Sequence, residues 1–184
     1  MSRYRWRIRA TDDSAAQRLA QELNLSLTTA RLLAGRGYVQ PEDAYRFLNP
    51  SLNDLADPRL MPDVECAVRR LALAVERKEP VLVYGDYDAD GVTSTALWLT
   101  TLRKLGVPAE PYVPHREREG YDLHPNAIEA ARAIGARLVL TCDCGVRAHD
   151  AVNALNADGL EVIITDHHEP GEFLPNALAV VNPK

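Results

Sequence analysis

The chain has 184 residues, 46% of them hydrophobic and 26% charged, which is enough apolar content for one substantial core and too much for a disordered chain. A formal charge of −5 argues against nucleic-acid binding by net charge alone, but leaves room for a local basic surface. The amino-terminal MSRYRWRIRA lacks a signal-like apolar stretch, no run approaches the roughly 18–20 apolar residues of a membrane helix, and Cys66, Cys142 and Cys144 cannot pair completely, so a cytoplasmic protein with reduced thiols and no membrane partner is expected.

In chain order, Arg3, Arg5, Arg7 and Arg9 alternate with Tyr4, Trp6 and Ile8. That is a strand pattern with one basic face, either a phosphate-contacting edge or an edge strand kept soluble by its charges. Ser14 is placed to cap a helix running to about Leu23, Thr28 or Thr29 to start a second that ends near Gly35–Gly37, and Pro41-Glu42-Asp43 to open a third. The turn-rich stretch from Asn49 to Pro58 closes this part, so residues 1–62 are expected to form a small, mainly helical segment. A helix follows from Asp63 to Lys78, with Val64, Ala67, Val68, Leu71 and Val75 as its apolar stripe.

From Val81 the pattern changes to alternating strand and helix. Strands are expected at Val81–Gly85, Ala109–Val113, Arg137–Thr141, Leu160–Thr165 and Leu178–Val181, and helices at Val92–Leu105, Pro125–Ile134 and Arg147–Leu155. This rhythm implies an α/β domain over 63–184, a mostly parallel sheet with helices on both faces. In such sheets ligands bind beyond the carboxyl ends of the strands.

The residues just past the strands carry the chemistry. Strand one runs into Asp86, Asp88 and Asp90, whose side chains share a face if the chain stays extended. Three carboxylates on one face at the end of a buried strand repel one another unless cations neutralise them. The third strand is followed by Asp143, and the fourth by Asp166-His167-His168. Five Asp and two His converging on one sheet edge form a ligand set for a two-metal hydrolytic site, with Asp143 placed to bridge two ions roughly 3.5–4 Å apart. Oxygen ligands suit Mg²⁺ or Mn²⁺, and imidazole leans the choice toward Mn²⁺. Zinc held by thiolate competes, since Cys142 and Cys144 flank Asp143. On a strand end, however, both would point away from the face Asp143 uses, which favours buried structural thiols. His149 is read as structural, and His124 as the start of a helix. In the segment Pro114-His-Arg-Glu-Arg-Glu-Gly-Tyr-Asp-Leu123, Arg116 or Arg118 could fork onto a substrate phosphate.

Asp86-Tyr-Asp-Ala-Asp-Gly91, Asp143-Cys-Gly145 and Asp166-His-His168, in that order and at strand ends, resemble the signatures of the DHH phosphoesterase superfamily. Within it the chain resembles the RecJ family of single-strand-specific 5′→3′ exonucleases. The run Gly85–Ser94, the Arg/Glu-Gly-Tyr loop ending at Leu123, and the prelude motifs Arg36-Gly-Tyr38, Ala44–Pro50 and Leu55-Ala-Asp-Pro58 carry that closer match. The resemblance covers nearly the whole chain. It implies metal ligation by Asp88, Asp90, Asp143 and His167, with Asp86 and Asp166 ligating or orienting close by. His168 would sit against the scissile phosphate, and Arg116, Arg118 and Ser94 would serve as phosphate contacts. The implied reaction is phosphodiester hydrolysis of single-stranded DNA from the 5′ end in DNA repair and recombination, in a monomer whose candidate protein partners are a single-strand-binding protein and a helicase.

Three departures stand out. Asp122 takes the place of a usual Gly, and Cys142 that of a Val or similar residue. The family's further metal-ligating Asp and second substrate-binding domain would fall beyond Lys184. The chain is therefore read as an N-terminal portion with weak or no nuclease activity alone. Two other readings stay open. One is a DHH phosphoesterase for short oligonucleotides or cyclic dinucleotides, and the other is a non-catalytic metal- or DNA-binding module.

Overall fold

A computed structural model of the chain describes residues 11–184, so the basic strand expected at Arg3–Arg9 lies outside the described residues. The chain divides into two compact units, Met1–Ala56 and Asp57–Lys184.

In the first unit three short helices enclose a small core. They are α1 (Asp13–Glu22), α2 (Leu27–Gly35) and α3 (Pro41–Leu48). Asp12 caps α1 by accepting from the backbone N–H groups of Ser14 and Ala15, and Ser26 caps α2 by accepting from Thr29. Both caps lie upstream of the predicted ones, because the residue bearing the side-chain acceptor sits just outside the first turn. Ala16, Leu19, Ala30, Leu33 and Ala44 are buried together.

The second unit is the α/β domain expected from the strand–helix rhythm. Its elements are α4 (Val64–Arg77), β1 (Val81–Gly85), α5 (Ala89–Lys104), β2 (Ala109–Tyr112), α6 (Ala127–Ile134), β3 (Leu138–Cys142), α7 (His149–Ala157), β4 (Glu161–Thr165) and β5 (Ala179–Val181). The five strands pair in the order β2-β1-β3-β4-β5, and every pairing is parallel. Residues alternate between two cores. Val81, Val83, Leu138, Leu140 and Ile163 pack with α4 and α5, and Leu82, Tyr84, Val139, Val162 and Ile164 pack with α6 and α7. Helices thus cover both faces, and the sheet reads as continuous apolar runs because it is buried on each side.

Two expectations are corrected here. On α4, Ala67, Leu71 and Val75 face the core, but Val68 is 57% exposed. Arg70 takes the inward position instead, pairing with Glu79 and, at 2.6 Å, with Glu161. The second correction concerns the start of α5. It begins at Ala89, not Val92, since the Asp88 carboxylate caps it by accepting from the N–H groups of Asp90 and Gly91. The extended run expected through Asp90 is therefore absent, and Asp90 stands in the first turn of a helix. Glycine makes this tight entry possible. A Cβ on Gly91 would lie 2.3 Å from the carbonyl oxygen of Asp86. One on Gly85 would lie 1.9 Å from the Thr95 hydroxyl.

Candidate metal centre

Strand order reverses direction between β1 and β3, since the chain builds outward to β2 on one side and to β4 and β5 on the other. At such a switch point the loops part and leave a crevice at the carboxyl ends of the strands. Asp86 leaves β1 and Asp143 leaves β3 at this crevice, with the backbone N–H of Asp86 donating to the Cys142 carbonyl. Asp143 has φ of +62°, a left-handed conformation that Asp tolerates better than most residues.

Two groups of side chains meet on Asp143. Asp86, Asp88 and Asp143 form one, and Asp143, His167 and His168 the other, each with its candidate ligand atoms within 4.8 Å of one another. Nε2 of His167 lies 2.9 Å from Oδ1 of Asp143. That oxygen and Oδ1 of Asp86 are buried and accept no hydrogen bond among the described residues. A buried carboxylate oxygen without a donor is costly unless a cation approaches it. The donor set, oxygen-rich with imidazole on one side, fits Mn²⁺ or Mg²⁺.

The carboxylates do not share the strain equally. Burial, followed by the Asp88 carboxylate, pushes the Asp143 acid above its usual range. Asp86 is raised too, again chiefly by burial. Asp88 is exposed and is lowered by the Gly91 N–H it caps. Crowding therefore falls hardest on Asp143, whose charged form is the one a cation would relieve most.

Asp166 plays a different part. Its burial would raise it, but hydrogen bonds from the backbone of His168, Val146 and His167 and from the His168 ring outweigh that and lower it. Both its oxygens accept, Oδ2 from the Val146 N–H and Oδ1 from the His167 and His168 N–H groups and from Nδ1 of His168. The His168 ring is in turn raised, foremost by its 2.8 Å bond to Asp166. Asp90 falls outside both groups. It lines a cleft of about 250 Å³ together with Ser94, Asp143, Thr165, Asp166 and His167. The Ser94 hydroxyl is spent on the Asp90 carbonyl at 2.6 Å.

The loop after β2 closes one side. The Arg116 guanidinium stacks 4.5 Å over the Tyr87 ring, while Arg118 is exposed and bonds through its backbone to His115. Sequence reasoning overlooked Tyr121, whose hydroxyl lies 3.1 Å from Nδ1 of His168, and Glu119, which accepts from the His115 N–H, the Asn126 amide and the Tyr112 hydroxyl. A polar aromatic and an acid beside a Gly in a strand-end loop were the available signal. Cys142 and Cys144 are both fully buried, one in the core under α4 and α5 and the other in the core under α6 and α7. They are kept from the site by lying on opposite faces of the sheet, not by pointing together along a strand, because the left-handed Asp143 breaks the alternation between them. Burial pushes the Cys142 thiol up to about 11 and the Cys144 thiol up as well, which disfavours thiolate ligation.

Comparison with known proteins gives the class. Residues 80–184 match the DHH family, N-terminal domain, and the chain belongs to that family. The finer similarity is to RecJ. The chain is 39% identical over 183 residues to the single-stranded-DNA-specific exonuclease RecJ of Bacillus subtilis, covering 100% of this chain and 23% of that protein. Among solved structures, RecJ of Thermus thermophilus in complex with Mn²⁺ is similar with a TM-score of 0.71 and 29% identity, over 92% of this chain and 23% of that one. An exonuclease RecJ bound to manganese matches with 40% identity and a TM-score of 0.58, over 65% of this chain and 30% of that one. The chain thus spans about a quarter of the length of the relatives it matches.

Proposed function

We propose that this chain carries the N-terminal, metal-binding part of a RecJ-like nuclease that hydrolyses single-stranded DNA from its 5′ end. The observation that carries the reading is Asp143, shared by an all-carboxylate group and a histidine group at the switch point of the sheet. Asp86, Asp88, Asp143 and His167 would hold Mn²⁺ or Mg²⁺, with Asp90 reaching in from the helix start. When bound, the ions supply positive charge that lowers the pKa of water and neutralises the phosphate. With Nδ1–H donated to Asp166, which favours the imidazolium form, His168 would carry a second proton on Nε2 and give that proton to the leaving oxygen. Arg116, seated over the Tyr87 ring, would present its fork to a strand phosphate. The three free thiols support a reducing, cytoplasmic setting. Repair and recombination, with a single-strand-binding protein and a helicase at hand, are the settings this activity suits.

The test is calorimetric titration of Mn²⁺ into the metal-free chain and its Asp143→Ala and His167→Ala variants, paired with hydrolysis of a long single strand and of a dinucleotide. Stoichiometric binding abolished by both substitutions, with any turnover confined to the long strand, supports the reading. Preference for the dinucleotide would instead mark a small-substrate DHH phosphoesterase. Mn²⁺ binding that survives both substitutions, or no binding, would overturn the metal reading.

A further inference from the structure

Asp122 has φ of +90°, well into the region that favours glycine. A residue held there needs contacts that outweigh the strain. Its carbonyl accepts from the Tyr84 hydroxyl at 3.1 Å, which anchors the loop to the end of β1. Its carboxylate oxygen Oδ1 accepts from its neighbour Leu123 and, 23 residues on, from the Gly145 N–H, both at 2.8 Å.

The Gly145 contact falls on the turn that carries Asp143. Two of that turn's three residues are left-handed, Asp143 at +62° and Gly145 at +107°. Few groups hold it. Asp143 donates to the Thr165 carbonyl, and Thr141 donates to the Cys144 carbonyl. The N–H groups of Gly145 and Val146 go to two carboxylates, Gly145 to Asp122 and Val146 to Asp166. Asp166 also holds the histidines, so the two carboxylates together tie the turn to the His167 side and to the loop of Tyr121. A glycine at 122 would adopt the same backbone more easily, yet it has nothing to offer Gly145.

We propose that Asp122 is a positioning residue for the centre: it grips the Gly145 N–H and so holds the turn that aims the Asp143 carboxylate at the two ligand groups. This rests on the metal-binding reading above. Asp122 lies outside both ligand groups and acts only through the turn.

The experiment compares wild type with Asp122→Gly and Asp122→Asn in the full chain. Three readouts are taken: hydrogen exchange at the Gly145 amide in the metal-free protein, Mn²⁺ affinity by calorimetry, and the melting temperature. Asp122→Gly is expected to speed Gly145 exchange at least tenfold and weaken Mn²⁺ binding about five- to tenfold, with melting within a few degrees of wild type. Asp122→Asn keeps an oxygen acceptor and tolerates the backbone, so both quantities should stay within twofold. Unchanged Gly145 protection in Asp122→Gly overturns the proposal, as does an Asn variant that loses as much as the Gly variant. If wild type itself binds no Mn²⁺, the metal reading falls, while Gly145 exchange still decides whether Asp122 grips the turn.

Discussion

Replacing Asp143 with Asn should make the metal-free protein more stable while removing its response to Mn²⁺. Asp143 is only 8% exposed, and its Oδ1 accepts no hydrogen bond among the described residues. Its candidate ligand atom lies within 4.8 Å of those of Asp86 and Asp88. Two unit charges at that distance repel by about 1 kcal/mol at the dielectric of water and about 3.5 kcal/mol at an effective value of about 20. Asp88 is exposed, so the relief on neutralising Asp143 falls toward the lower end, about 1–2 kcal/mol. Asn suits the left-handed backbone as well as Asp does, so the substitution adds no strain. For a chain of this size the gain corresponds to a melting point roughly 2–8 °C higher in EDTA. Mn²⁺ at about 100 times its dissociation constant would raise wild type by about 2.7 kcal/mol and leave the variant nearly unmoved, so the order reverses. Thermal melts of both proteins, with EDTA and with Mn²⁺, read this directly. If the Asn variant melts below wild type in EDTA, Asp143 is stabilised by its surroundings, and the argument from repulsion is wrong.

Gly85→Ala places a methyl 1.9 Å from the Thr95 hydroxyl and 2.7 Å from the Gly91 carbonyl, so denaturant titration should show a loss of about 3 kcal/mol. Glu119 is lowered to about 2, first by the His115 N–H and then by the Tyr112 hydroxyl and Asn126 amide. Its contribution is therefore present above the ordinary carboxylate range and fades as pH falls toward about 2. Glu119→Gln should lower the melting point at pH 7 by a few degrees, with the gap closing on acidification; a gap that widens in acid would refute this. Arg116→Ala should weaken single-strand binding and reduce the slope of log affinity against log salt by about 1, while Mn²⁺ affinity is unchanged.

Much of this molecule could be read from local pattern. Apolar runs of about five residues punctuated by glycines mark strands, and strands alternating with amphipathic stretches force parallel crossovers. Because crossovers put every strand's carboxyl end on one edge, Asp86, Asp143 and His167 could be brought together without coordinates. Caps were less legible, since Asp12, Ser26 and Asp88 act through a carboxylate or hydroxyl whose partner lies two or three residues on, and several residues in each stretch could have served. At Asp88 the cap also placed Asp90 in the first turn of α5 rather than on an extended strand.

What only the tertiary structure decided depends on contacts between distant segments. Val68 is as apolar as Val75, yet Arg70 faces inward because Glu79 and Glu161 are there to meet it. Asp166 resembles a ligand by residue type, and only the structure shows that its two oxygens already accept four hydrogen bonds. Asp122 looks like a misplaced glycine until Gly145, 23 residues away, is seen to donate to it. Residue type and spacing determine which groups can reach the sheet edge. Whether a carboxylate there is left bare for a cation or already satisfied by N–H groups depends on which loops pack beside it, and that is settled only when the chain folds.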